Sequence, residues 1–311
     1  MSIWQTKIWW EMLIDSGQAE KIFEINWIFI EKRKVSLWEY GLFVLWLEKE
    51  LNEKDVNEMI ELCKKEKALF LQIENLDYNS INWTNINLPF SKGVPKGGGI
   101  KSWYYKKFIT PYTAVIDTTL SEEQILSNMK PKGRYNIKLA EKKGIEVIEV
   151  QKSDENIRLF YNLMLETTSR DWFNWNSIDF YKIFLNSLDN SKLLLAYYEW
   201  QVIAWWIFIF DKEASIYYYW ASSWDSKYRN LMAPYLLQWE AIKIAKSTWS
   251  KIYDFLWVAW PDDINSPLAW VTDFKKKFTS DIRYISDSFI YINKKSKYFL
   301  INTVRKVKTW I

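Results

Sequence analysis

MKPKGRYNIKLAEKKGIEV, residues 129–147, contains a helix break, a second helix, its stop and the start of a strand. Pro131 interrupts the helical run EEQILSNM that precedes it, since proline cannot donate into a helix interior. GRYNIKLAEKKG then reads as a new helix, closed by Gly144, which takes the left-handed conformation without a Cβ penalty. IEVIEV follows as a strand. Upstream, Ser121 and Gln124 form a capping-box opening for EEQILSNM, and TAVIDTTL before it reads as a strand. Strand, helix, helix, strand is an α/β signature.

The same alternation extends both ways. On the N-terminal side, TKIWWEMLIDSG is a helical start ending near Gly17, and KIFEINWIFIEKRK and YGLFVLWL are β-like. Residues 53–70 form a charged amphipathic helix, and LFLQIEN is a strand. The polar stretch 76–107 contains Gly93 and the run Gly97-Gly98-Gly99; no strand–loop–helix frame surrounds it, so it reads as a loop. On the C-terminal side come helices from about Asp154 to Thr168 and after Ser177. LLLAYYE, VIAWWIFIF and ASIYYYW form an antiparallel meander. A helix over 234–247, the strand KIYDFL, the strand-like IRYISDSFIYI and a basic C-terminal helix complete the chain. The expected fold is α/β with mixed sheets and a boundary near residue 150.

With 311 residues, 49% of them hydrophobic and 26% charged, the chain can bury a sizeable core. No apolar window approaches a membrane span and no signal-peptide pattern opens the sequence, so it reads as soluble and intracellular. The net charge is +4, carried mostly by lysine, which suits phosphates or an anionic membrane face as well as an ordinary solvated surface. The absence of histidine removes Ser-His and Cys-His catalysis and His-ligated metals. Cys63 is alone, so it forms no disulfide; in EMIELCKKEKALF it reads as a buried thiol on an amphipathic helix.

Glycine and tryptophan are out of proportion, 8 against 21. Trp200 stands in a tight hairpin turn, YYEWQV, where the backbone wants a positive φ. Trp249 follows the helix APYLLQWEAIKIAKST at the place of a closing glycine. Trp257, Trp260 and Trp270 punctuate a turn-rich strand exit that contains Pro261 and Pro267, and Trp172 and Trp175 fall in the loop-like RDWFNWNS. Sugar-stacking aromatics would not choose turns and caps. The expectation is that most of these codons are UGA read as glycine in the source organism.

The 129–147 stretch resembles the signature of the FemABX peptidoglycan-bridge aminoacyltransferases, of the type K-x-R-Y-N-I-R-x-A-x-K-x-G. The resemblance continues through ITPYTAVID (109–117), YRNLMAPYLLQWEAI (228–242), YDFLWVAW (253–260) and PLAWVTDFKKKF (267–278). Members of that family typically carry glycine where this chain has Trp200, Trp205, Trp206, Trp220, Trp257 and Trp270, whereas Trp239 matches a family tryptophan. Trp9 is read as genuine and Trp10 as glycine.

The resemblance implies two GNAT-like domains with mixed sheets and no coiled-coil arm: residues 1–148 with 294–311, and residues 149–293. In that arrangement the C-terminal helix packs back on the first domain. It implies a tRNA-dependent transfer of an amino acid onto the stem-peptide amine of lipid II or UDP-MurNAc-pentapeptide. Aminoacyl-tRNA is then a co-substrate, and no cofactor or metal is called for. The protein is expected to be a cytoplasmic monomer, with room for peripheral contact at the inner membrane face.

Aminolysis of an ester needs a positioned amine, a proton acceptor and an oxyanion stabiliser. By the resemblance, Asp117 holds or deprotonates the amine, Lys275 stabilises the oxyanion, and Phe274 offers its backbone carbonyl. Arg229, Tyr235 and a basic residue of EKRK (Lys32, Arg33 or Lys34, with Lys34 preferred) are candidates for the pyrophosphate end. Arg134, with Lys130, Lys132 and Lys138, surrounds a helix start that favours anions. Tyr135 there reads equally as core or ligand. Ser266 stands where relatives often have histidine.

Two other readings stay open. A GNAT-type N-acyltransferase acting with acyl-CoA or on an exopolysaccharide would need a glycine-rich pyrophosphate loop, and SSWDSKYRNLMAP offers no clean one even with Trp224 read as glycine. A non-catalytic tRNA- or lipid II-binding module would tolerate loss of Asp117 and Lys275.

Overall fold

Alternating apolar runs in the first part of the chain pair into one sheet, and those in the middle into another. The computed structural model describes residues 3–36, 38–47, 51–75, 91–92, 105, 108, 110, 112–171, 176–212, 214–222, 226–259, 266, 268–284 and 289–308. Gly93, the run Gly97-Gly98-Gly99, Trp172, Trp175, Trp224, Trp260, Pro261 and Pro267 lie outside the described residues.

The first unit spans Met1–Pro111 and Tyr284–Ile311. It opens with α1 (Lys7–Asp15), β1 (Lys21–Ile25), β2 (Ile28–Lys34), β3 (Tyr40–Leu47), α2 (Glu53–Lys65), β4 (Phe70–Asn75) and β5 (Ser91–Lys92). The second unit, Tyr112–Arg283, holds β6 (Tyr112–Asp117), α3 (Glu122–Asn128), α4 (Pro131–Lys142), β7 (Glu146–Val150), α5 (Asp154–Asp171) and α6 (Ile178–Ser187). It continues with β8 (Ser191–Tyr198), β9 (Gln201–Ile209), β10 (Ala214–Ser222), α7 (Ser226–Arg229), α8 (Ala233–Ser247), β11 (Ile252–Asp254), α9 (Ala269–Lys275) and β12 (Ile282–Tyr284). The chain then returns to the first unit as β13 (Phe289–Ile292) and α10 (Lys295–Lys308).

In the first unit the six-stranded sheet runs β1-β2-β3-β4-β13-β5, mixed because β3 and β4 are parallel. Ile28, Ile30, Leu42, Val44 and Leu71 on one face meet Val56, Met59, Ile60 and Cys63 of α2. Cys63 is fully buried, and burial pushes its thiol up to about 12. On Phe70 the Tyr298 ring of α10 packs edge-on, and Lys294 and Lys297 both reach Glu39. The C-terminal helix thus belongs to the first unit.

The seven-stranded sheet of the second unit runs β12-β6-β11-β10-β9-β8-β7, with β10 and β11 parallel. α4 and α8 bury Ile137, Ala140, Leu237 and Ala241 with residues of the sheet. Phe160 of α5 packs on Trp205 of β9, and Tyr181 of α6 packs on Phe160.

The division differs from the one expected at residue 148. Residues 112–148 belong to the second unit because β6 pairs antiparallel with β11. The return to the first unit comes by residue 284 rather than 294, because β13 pairs with β4. The single strand-like run IRYISDSFIYI is accordingly two strands in two different sheets. Both pairings join segments far apart in sequence, which local periodicity does not register.

Among the described residues ten non-glycine residues have positive φ, and five of them are tryptophan: Trp27, Trp46, Trp200, Trp249 and Trp257. Bulky residues are genuine outliers there, whereas glycine is at home. β8 and β9 are joined by Glu199 and Trp200, both left-handed, as a two-residue I′ hairpin requires. Asn26 and Trp27 join β1 to β2 in the same way, at a turn for which Asn-Gly is the preferred pair. Trp46 marks a register shift in β3, where a left-handed glycine commonly forms a bulge. Trp249 follows α8 as Gly144 follows α4. In each case the left-handed residue's N–H bonds three residues back and the next N–H five residues back.

Candidate functional site

The signature helix α4 begins against the turn that carries the lysine run. Its Lys130 N–H donates to the Lys277 carbonyl at 3.0 Å, and a Cβ on residue 133 would run into that same carbonyl oxygen, so only glycine fits at Gly133. Asn136, one turn on and buried, hydrogen-bonds the Tyr235 hydroxyl. The Arg134 guanidinium turns the other way, donating to the carbonyls of Ser127 and Met129 at the end of α3. The K-G-R-Y-N stretch therefore fastens three elements together. Arg134, expected at a substrate anion, serves as a cap on α3. Lys130, Lys132, Tyr135 and Lys138 are exposed, Tyr135 to 64%.

What α4 steadies is the end of α9. Lys275 is 1% exposed, and its ammonium donates to the Leu256 carbonyl at 2.6 Å and the Trp257 carbonyl at 3.0 Å. Burial pulls its pKa down to about 7, against the opposing pull of Asp254. A lysine so placed changes charge near neutrality, a property of groups at work in chemistry. Phe274 beside it stacks on Trp206 at 6.3 Å and meets Tyr235 edge-on at 5.0 Å. The Phe274 carbonyl accepts from the Lys277 N–H at 3.0 Å; a carbonyl has a second lone pair for another donor. Burial raises the Tyr235 hydroxyl, and its hydrogen bond with Asn136 opposes that.

Phe274, Lys275 and Tyr235 thus come together. Asp117 does not join them. It lies opposite Ile252, at the far end of the β6–β11 ladder, while Lys275 binds carbonyls between Asp254, which faces Val115, and Val258, which bridges Tyr112. At about 3.3 Å per residue, three or four residues of β6 separate the two by roughly 10–13 Å. The exposed Asp117 carboxylate accepts from the Thr119 N–H at 2.9 Å and hydroxyl at 2.6 Å, closing the turn after β6.

The carboxylate at the lysine is Asp254, fully buried. It accepts from the Thr113 hydroxyl and, at 2.7 Å, from the Leu256 N–H. Sequence reasoning missed it. The available signal was one acidic residue inside the apolar run KIYDFL, which a half-buried strand has no reason to tolerate.

Arg229 ends the one-turn α7 and is exposed. In the first unit, Lys32 reaches Glu20 and Glu66 and Arg33 binds Glu31 at 2.7 Å, whereas Lys34 is exposed and makes no ion pair among those resolved between described residues. Of the three basic residues in EKRK, Lys34 is the one left to solvent. Ser266 accepts from the Leu268 N–H at 3.3 Å, opening the approach to α9. No group of three or more potential metal-ligating side chains occurs among the described residues, and none of their helices is long and apolar enough to cross a membrane.

Two α/β units on mixed sheets, the second with a buried lysine at a strand exit, define a two-unit α/β scaffold as the class. The chain belongs to the FemAB family, which matches residues 98–202 and 196–306 and whose members are transferases. Among solved structures it is similar to FemX, at 17% identity over 97% of this chain and 94% of that one, with a TM-score of 0.78. It is also similar to the C-terminal domain of a putative lysylphosphatidylglycerol synthetase from Agrobacterium fabrum, at 12% identity, 94% and 90% coverage and a TM-score of 0.60. A third is L-PGS from Bacillus licheniformis, at 12% identity, 96% and 94% coverage and a TM-score of 0.57. At these identities the likeness is one of fold. No curated protein sequence matches the chain.

Proposed function

We propose that the protein is a cytoplasmic, tRNA-dependent aminoacyltransferase that adds an amino acid to the stem-peptide amine of a peptidoglycan precursor. The observation that carries this reading is the buried Lys275, poised near neutrality in a stretch that the FemAB match includes. The amine nitrogen attacks the carbonyl carbon of the aminoacyl ester. The carbon–oxygen bond to the tRNA ribose breaks, the amine proton passes through solvent to the leaving ribose oxygen, and an amide forms. The Lys275 ammonium meets the negative charge on the carbonyl oxygen in between. Lys34, Arg229 and Tyr235 are assigned to the precursor, Arg229 and Lys34 by their fitness for pyrophosphate.

The same reading takes Trp10, Trp27, Trp46, Trp200, Trp205, Trp206, Trp220, Trp249, Trp257 and Trp270 as glycine in the natural protein. Beyond the five left-handed positions, the Trp10 ring centroid lies 3.3 Å from that of Phe29, closer than aromatic pairs rest, and its buried Nε1 has no hydrogen-bond partner. Its neighbour Trp9 hydrogen-bonds Glu31. Trp205 Nε1 is buried without a partner too. Trp270, on α9, rests on the family resemblance alone.

The decisive assay incubates the glycine-restored protein with charged tRNAs and either lipid II or its nucleotide precursor. Amide formation that stops when the ester linkage is hydrolysed beforehand supports the reading; no transfer to either acceptor rejects it. Peptide mass spectrometry of natural protein tests the glycines separately, and tryptophan at three or more of those positions ends that idea.

A further inference from the structure

We propose that Asp254 is the positioning residue for Lys275, holding the N–H of Leu256 while the lysine holds its carbonyl. Asp254 takes the Leu256 N–H at 2.7 Å and Lys275 takes the Leu256 carbonyl at 2.6 Å. Leu256 and Trp257 are consecutive left-handed residues, with φ of 49° and 33°. Glycine at 257 is at home there, but a leucine at 256 persists only where its surroundings over-determine it. Asp254 and Thr113 are each fully buried, and the Thr113 hydroxyl, donating to Asp254, fixes the carboxylate on β6. The turn thus presents two carbonyls to the ammonium because a carboxylate grips its first N–H, and that carboxylate also supplies the countercharge. Burial would otherwise favour the neutral amine. Asp254 is the charged group that acts on Lys275 from the sheet. Asp273, Lys276 and Lys277, on the lysine's own turn, are exposed or half-buried and keep their charges in every variant below.

The role in catalysis rests on the acyl-transfer reading; the coupling between the two side chains does not. The test uses the glycine-restored full chain with Asp254→Asn, which keeps an oxygen for the Leu256 N–H but removes the charge, and Asp254→Glu as the conservative rescue. Turnover with charged tRNA and precursor is followed against pH, and the Lys275 side chain is titrated by NMR with carbon-labelled lysine.

Asp254→Asn is expected to lower kcat by about 10- to 100-fold, the usual cost of losing a partner that holds a site residue. The precursor KM should stay within about two-fold, since no precursor group is assigned to Asp254. The alkaline limb of kcat and the lysine titration should both move down by about one pH unit or more, as loss of a nearby anion dictates. Asp254→Glu should restore part of each. A fall in kcat with both the limb and the titration unmoved would overturn the proposal, and so would a titration that moves up toward that of a solvated lysine, the pattern simple misfolding gives. Unchanged kcat in Asp254→Asn would overturn it as well. If the unmutated chain transfers nothing, the acyl-transfer reading fails by itself, and the titration still decides whether Asp254 governs Lys275.

Discussion

The two ends of the β6–β11 ladder are built alike and behave differently. Past β6, the Lys246 ammonium of α8 donates to the carbonyls of Thr118, at 3.4 Å, and Leu120, at 2.6 Å, near the carboxylate of Asp117. Past β11, the Lys275 ammonium of α9 donates to the carbonyls of Leu256 and Trp257, near the carboxylate of Asp254. A left-handed tryptophan flanks each end, Trp249 before β11 and Trp257 after it. The difference is water. Asp117 is exposed and Lys246 half-exposed, while Asp254 and Lys275 are sealed in. In the dry arrangement the carboxylate acts on the charge of the ammonium without the screening that water gives ion pairs at a surface. The same lysine-on-carbonyl device is a strut at one end and a candidate catalyst at the other.

The largest expected effect belongs to the dry end. In glycine-restored protein, Lys275→Ala should lower turnover by about 10²–10³-fold with precursor affinity little changed. Lys246→Ala, at the wet end, should leave turnover within a few-fold and cost only the order of 1 kcal/mol of a hydrogen-bonded strut. Equal kinetic losses in the two variants, measured in the same transfer assay, would erase the distinction.

A thermodynamic counterpart follows from the depressed pKa of Lys275. Between about 7, its value in the folded chain, and 10.5 in the unfolded one, the unfolded chain binds the extra proton. Stability contributed by this residue therefore rises with pH across that window, by up to about 1.4 kcal/mol per unit, and is absent below it. Urea unfolding of the parent and of Lys275→Met should give a stability difference that shifts in the parent's favour from pH 7 to 10. A difference flat in pH would mean that the ammonium stays charged in the folded protein.

How much of this could be read from sequence alone divides along the same line as local and distant contacts. Pro131 and Gly144 bound α4 by local chemistry, and the structure starts and stops the helix there. Cys63 sits on the buried face that its amphipathic pattern implied. The tight turn at Trp200 was also legible, since two β-prone runs so close together demand left-handed residues. The inward roles of Gly133 and Asn136 were not. Gly133's exists only because the turn after α9 comes up against α4, 140-odd residues later in the chain, and Asn136's only because α8 brings Tyr235 to it. Asp254 escaped for the same reason, since its partners Thr113 and Lys275 lie on other elements. Asp117 was assigned the amine by the family resemblance, and the β6–β11 register sets it apart from Lys275.

The flanking tryptophans sharpen the comparison further. Trp249→Gly should raise stability by about 1–3 kcal/mol, since the left-handed strain is relieved and an 84% exposed ring gives up little packing. Trp257→Gly relieves the same strain but gives up a half-buried ring, so its gain should be smaller. Chemical denaturation of the two single variants reads both, and a loss of stability at Trp249→Gly would count against the glycine reading of these positions.

The smallest expected effect is at Asp117. Its carboxylate accepts two hydrogen bonds from Thr119, one from backbone and one from the hydroxyl, on an exposed turn. Asparagine keeps an oxygen in that place, so Asp117→Asn should cost well under about 1 kcal/mol of stability. Its kinetic effect decides between two arrangements. If acyl transfer is centred on Lys275 and the amine stays within reach of Phe274, a carboxylate roughly 10–13 Å along the ladder has no hold on it. Turnover should then change less than about three-fold, well short of the loss that removing a positioned proton acceptor brings. A fall of about 100-fold or more, partly recovered by raising the pH to free the amine, would instead bring Asp117 to the substrate. The amine would then have to enter from the β6 end, with Lys275 left to hold the strand exit as Lys246 does.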